Sequence, residues 1–126
     1  MSAEWILYHN NRCSKSRAAL AWLETQGIHA EVVCYLDTPP DAATLADMAA
    51  KLDLTDIRGM MRVKDERYRD LGLADADVSQ AALLAALAEH PALLERPILV
   101  GKTRAAIGRP TENLAVLLAA EREKAV

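Results

Sequence analysis

Phenylalanine is missing from this 126-residue chain, and its aromatics reduce to Trp5, Trp22, Tyr8, Tyr35 and Tyr68. The core must therefore be built mostly from Leu, Ala, Val, Ile and Met. Cysteine is scarce too, with only Cys13 and Cys34. Two thiols exclude the disulfide-dense scaffold of a small secreted protein. They cannot supply a four-ligand zinc site alone, and no His pair stands at ligand spacing to complete one. A surplus of positive charge is also lacking: 15 basic against 18 acidic residues leave a net charge of -3. A general nucleic-acid binder would usually show a basic excess. No apolar run approaches the roughly 18 residues of a membrane span. Met1-Ser2-Ala3-Glu4 has no basic flank and no apolar signal segment behind it. The expectation is a cytoplasmic monomer that works without membrane or nucleic acid.

What is present suits one domain over 1–126. The chain is 52% apolar and 26% charged, a balance that excludes long disordered stretches. Trp5 to Tyr8 is a short β-branched and aromatic run that predicts a strand. His9-Asn10-Asn11-Arg12 breaks it. From Ser14 a helix is expected, with Ala19, Trp22 and Leu23 on one face and Gly27 as the stop. Ala30 to Leu36 predicts a second strand, parallel to the first because a helical crossover joins them.

Thr38-Pro39-Pro40 sets an extended turn. Asp41 is suited to cap a helix bearing Leu45, Met48, Ala49 and Leu52 on one stripe. A short helix is expected near Thr55 to Arg62, and another from Glu66 to Leu71, ending at Gly72. Ser79 can cap a helix over Gln80 to Glu89, which His90-Pro91 stops. Ile98 to Val100 and Arg104 to Ile107 predict a hairpin around Gly101-Lys102-Thr103. Thr111 caps a last helix to about Glu121. The order is β-α-β, a helical insert over about 41–91, then β-β-α. This is an α/β plan of thioredoxin/glutaredoxin type: a four-stranded mixed sheet flanked by helices, with the insert between the second and third strands.

Cys13 is the candidate for chemistry. It stands between a loop and a helix start, where unpaired N–H groups and the helix dipole favour an anion. Arg12, Lys15 and Arg17 add positive charge nearby. A thiol so placed falls below its usual pKa of about 8.5. The same groups would hold an oxyanion. The segment Asn10-Asn11-Arg12-Cys13-Ser14-Lys15-Ser16-Arg17 is too polar for a core filler. Cys34, in contrast, sits within an apolar strand and is expected to be structural and buried. Ser16 occupies the second position of a Cys-x-x-Cys pair, so any disulfide made by Cys13 in this loop needs an outside thiol. His9 is placed either to assist the thiolate as a nearby cation or donor, or to be an ordinary loop histidine. Arg96 and Arg109 each precede a proline and are held extended, and Arg62 ends the short helix of the insert.

Together these residues carry a resemblance. Tyr8-His9-Asn10-x-x-Cys13-Ser14-x-Ser16-Arg17, Tyr35-Leu36-x-x-Pro39-Pro40, Met61-Arg62, Tyr68-x-x-Leu71-Gly72-Leu73, His90-Pro91, Arg96-Pro97-Ile98 and Gly108-Arg109-Pro110 follow one another over nearly the whole chain. In this the chain resembles the glutaredoxin-dependent arsenate reductases of ArsC type. The resemblance implies that Cys13 attacks arsenate, that Arg62, Arg96 and Arg109 bind the oxyanion, and that His9 lowers the thiol pKa. Ser16 would hydrogen-bond the thiolate and Asn10 shape the loop, with Ser14, Lys15 and Arg17 completing the substrate site. It implies no bound cofactor, glutathione as co-substrate, a Cys13–glutathione mixed disulfide, and glutaredoxin as the partner that resolves it. The peptide bond between Arg96 and Pro97 is expected to be cis. Two other readings share the fold: a Spx-type regulator that binds RNA polymerase, and a monothiol glutaredoxin-like redox protein. A Spx-type switch usually carries Cys-x-x-Cys in this loop, which Ser16 opposes; the monothiol reading leaves the three arginines without a task.

Overall fold

A computed structural model of the chain describes residues 5–124, so the Met1-Ser2-Ala3-Glu4 stretch read for targeting lies outside the described residues. The chain divides into two compact units, Met1–Thr38 with Arg96–Val126, and Pro39–Glu95.

In the first unit, β1 (Ile6–His9) and β2 (Glu31–Cys34) pair in parallel, with His9 opposite Cys34. The crossover between them is α1 (Ser14–Thr25), as a parallel pair requires. β3 (Ile98–Val100) runs antiparallel to β1, and β4 (Ala105–Ile107) antiparallel to β3. The sheet is thus mixed, in the order β2-β1-β3-β4. The first strand lies one residue further along than its apolar run suggested, because the ladder to β2 extends to His9. The second strand is shorter than Ala30 to Leu36. The N–H groups of Asp37 and Thr38 both turn back to the Cys34 carbonyl, at 2.9 and 3.0 Å, and take Tyr35 and Leu36 into a turn. Being an edge strand, β2 leaves Val32 41% exposed.

The central strands supply Leu7 and Leu99 to an apolar cluster with Ala19 and Leu23 of α1. Burying a leucine such as Leu23 fully contributes roughly 1.5–3 kcal/mol. Helix α1 stops where Gly27 takes a φ of +73°, and the Ile28 N–H returns to the Leu23 carbonyl at 3.1 Å. The hairpin turn closes through Gly101 N–H to the Arg104 carbonyl, so β4 starts one residue later than expected. The last helix follows Thr111 and runs Glu112–Lys124, past the expected Glu121. It adds Leu114, Leu117 and Leu118 to the same cluster.

In the second unit, α2 (Ala42–Lys51) is capped by Asp41, which accepts from the Thr44 N–H at 2.8 Å. It buries Leu45, Met48 and Ala49; Leu52, expected on the same stripe, becomes the half-buried C-cap. The expected short helix is a 3₁₀ turn, Ile57–Met60. It ends because Met61 bridges Leu94 in extended geometry. The short α3 (Glu66–Asp70) is followed by Gly72 at a φ of +68°. Then α4 (Gln80–Glu89), capped by Ser79, packs on α2. A second 3₁₀ turn, Pro91–Leu93, was not anticipated. No helix of the described residues is long and apolar enough to cross a membrane.

Candidate active site

Cys13 is the N-cap of α1, with extended backbone (φ -97°, ψ 123°). A turn from Cys13 N–H to the Asn10 carbonyl, 3.0 Å, sets the loop that presents it. Its side chain makes no capping hydrogen bond. An ionised sulfur supplies the acceptor that an N-cap normally offers the second and third amides of a helix. Those amides belong to Lys15 and Ser16. Burial works against ionisation, but the Ser16 N–H, the Arg96 guanidinium and the Lys15 N–H outweigh it and lower the thiol pKa to about 7. Hydrogen bonds to the charged form are the cause, helped by the Arg96 charge.

Arg96 is held just before a cis bond to Pro97, at the entry to β3. Its pKa is raised: burial opposes the charge, while Cys13 and Tyr35 stabilise it. Its Nε is buried without a hydrogen-bond partner. Arg109 also precedes a cis proline. Its side chain is exposed, and its carbonyl accepts from Asn113 Nδ2 at 3.4 Å. Arg62 belongs to the second unit. It follows the 3₁₀ turn rather than ending a helix, donates its N–H to the Leu93 carbonyl at 2.7 Å and lies 3.8 Å from Asp65.

Of the alternatives open for His9, its surroundings disfavour the cation. It is 4% exposed, and burial first, then Arg17, lowers its pKa, so at neutral pH the ring is uncharged. It is not among the groups that shift Cys13. Ser16 is fully buried, and its hydroxyl accepts from the Asn10 N–H at 3.4 Å. Its amide, rather than its hydroxyl, serves the sulfur. Asn10 Oδ1 accepts from the Arg12 N–H at 3.0 Å, and Arg17 Nη1 donates to the Asn11 carbonyl at 3.3 Å. Both residues therefore brace the loop. Ser14 and Lys15 are exposed. Cys34, expected to be buried, is half-buried because its strand is an edge.

Residues 8–117 match the ArsC family model. The chain belongs to the ArsC family. Over 112 residues it is 58% identical to an arsenate reductase of Neisseria meningitidis serogroup A, covering 89% of this chain and 96% of that one. Over 114 residues it is 46% identical to YfgD of Escherichia coli K12, a protein described as uncharacterized, covering 90% and 96%. The solved structure of an arsenate reductase from Vibrio cholerae superposes with a TM-score of 0.86 at 46% identity, covering 91% and 98%. The four-stranded mixed sheet with flanking helices is the thioredoxin-like architecture of these ArsC neighbours.

One residue of this ArsC-family site was not singled out from the sequence for a part in it. Tyr35 is fully buried and stabilises the Arg96 charge. A tyrosine inside an apolar run looks like core, and its polar end is invisible until the strand order places β3 next to β1.

Proposed function

We propose that this ArsC-family protein reduces arsenate to arsenite, with Cys13 as nucleophile and glutathione and glutaredoxin as external reductants. The observation that carries the reading is a sulfur with a pKa of about 7, set among two helix amides and the Arg96 guanidinium. Roughly half of it is thiolate at pH 7, against a few per cent of an unassisted thiol. The arsenate reductases named among its relatives supply the substrate.

The Cys13 thiolate attacks arsenic(V), forming a sulfur–arsenic bond while one arsenate oxygen leaves as water. Arg96 holds charge on the remaining oxygens, and the amides of Lys15 and Ser16 stabilise the anionic centre before and after attack. Family resemblance assigns the same oxyanion-binding task to Arg62 and Arg109, with Asn10, Ser14 and Arg17 shaping the loop. His9 acts as a neutral hydrogen-bonding ring. Glutathione then forms a disulfide with Cys13. The sulfur–arsenic electron pair passes to arsenic, which leaves as arsenite(III). Two thiols have lost one electron each and arsenic has gained two. Glutaredoxin attacks the glutathionyl sulfur and returns Cys13 as thiolate. Ser16 stands where a Cys-x-x-Cys pair has its second cysteine, so an outside reductant suits this chain better than an internal pair within the motif.

Arsenite release with arsenate, glutathione and glutaredoxin tests this. Wild type should turn over and Cys13→Ser should not. Omitting glutaredoxin should leave a glutathionyl adduct on Cys13, visible by intact mass. Turnover by Cys13→Ser ends the proposal.

A further inference from the structure

Beside the Cys13 loop lies an open cleft of about 210 Å³. One wall is Asn10, Asn11 and Arg12; the other is Cys34, Leu36 and Asp37, with His9 between them. The cleft sits at the carboxyl ends of the parallel pair β1 and β2, the usual ligand position of α/β sheets. It is smaller than the roughly 300–1,000 Å³ of pockets that enclose a whole ligand. It therefore suits one end of a molecule whose remainder lies outside.

Its chemistry is that of a site for a zwitterion. Arg12 stands on one wall and Asp37 on the other, both exposed, and among the described residues neither side chain has an ion-pair partner. His9 is 4% exposed, and its Nδ1 is buried without a hydrogen-bond partner. A buried polar atom left so costs about 1–3 kcal/mol unless something satisfies it. An α-amino acid group answers all three: its carboxylate pairs with a guanidinium, its ammonium with a carboxylate, and its polar edge with an imidazole. A bare oxyanion does not, since Asp37 would repel it.

We infer that this cleft seats the γ-glutamyl end of glutathione, its α-carboxylate toward Arg12 and its α-ammonium toward Asp37. The inference rests on the glutathione reading above and adds where that co-substrate docks. The turn from Cys13 to Asn10 makes the cleft wall continuous with the nucleophile, so the glutathione thiol extends from the cleft toward Cys13.

The test needs no arsenate and no turnover. In Cys13→Ser the one remaining thiol is Cys34, which lines the cleft. S-methylglutathione, which cannot react, should slow alkylation of Cys34 by iodoacetamide about tenfold at ten times its Kd. S-methylcysteinylglycine, which lacks the γ-glutamyl group, should give no protection at the same concentration. Asp37→Asn and Arg12→Ala, each added to Cys13→Ser, should remove the protection. The His9 ring resonances of the wild-type chain should shift on titration with S-methylglutathione. Equal protection by both thioethers, or no protection and no His9 shift, overturns the inference. Protection without any arsenite release from wild type would instead sink the reductase reading and leave the cleft assignment standing.

Discussion

Arg96 reaches the Cys13 sulfur from the segment that enters β3, and Tyr35 steadies its charge from a third stretch of chain. The register explains the meeting. Tyr8 pairs with Ile98, so the residue two before Ile98 and the loop that follows His9 open at the same end of the sheet. A cation and a helix N-terminus thus act on one atom, and each favours its anionic form.

The thiol should titrate near pH 7 when iodoacetamide alkylation is followed against pH. Arg96→Ala removes both a hydrogen bond and a charge, so the midpoint should rise, by about one unit, and alkylation at pH 7 should slow about fivefold. The folded pKa lies below the unfolded one. Stability from this group is therefore complete above the unfolded pKa and lost as pH falls through 7. Urea midpoints of wild type should climb between pH 7 and 9, and Cys13→Ser should flatten that rise. A midpoint above 8 in wild type would contradict the assigned surroundings of the sulfur.

His9 should stay uncharged at neutral pH and titrate below 6.5 in NMR spectra of its ring. Its folded pKa is depressed, so the unfolded chain binds the extra proton. Stability is then lost as pH falls from 6.5 through the folded pKa. A ring that titrates above 6.5 would restore the cationic alternative that its spacing to Cys13 left open.

Gly108→Ala should disturb the site from beneath. A Cβ there would stand 3.0 Å from Pro97 Cγ and 3.2 Å from Leu114 Cδ1. Neither neighbour gives way freely, and the Gly108 N–H also holds the Pro97 carbonyl at 2.8 Å. Overpacking of this kind costs about 1–3 kcal/mol. The urea midpoint should fall, and the Cys13 alkylation midpoint should rise as Arg96 shifts with Pro97. A variant as stable as wild type with an unchanged thiol would show that Pro97 does not position Arg96.

Arg109 and Arg96 should separate in kinetics. Arg109 is exposed and is not among the groups that shift Cys13. Arg109→Ala should raise the KM for arsenate about tenfold, the worth of one charge-assisted hydrogen bond, and leave the alkylation profile in place. Arg96→Ala should change both. An arsenate dependence that ignores Arg109→Ala removes that residue from the oxyanion site.

Local chemistry was legible in the residues themselves. The caps at Asp41 and Ser79, the stop at Gly27, the hairpin after Val100 and the thiol at a helix start each depend on neighbours within a few positions. Tertiary structure decided the rest. Chain order does not reveal that β2 is an edge, and that position is what leaves Cys34 half-buried at a cleft. Nor does it reveal that His9 is sealed from water and so neutral, or that Tyr35 answers Arg96. Charge state depends on solvent and on partners distant in sequence. A reactive sulfur could be nominated from its flanking residues, but the strength of its activation follows from which strand is laid beside it.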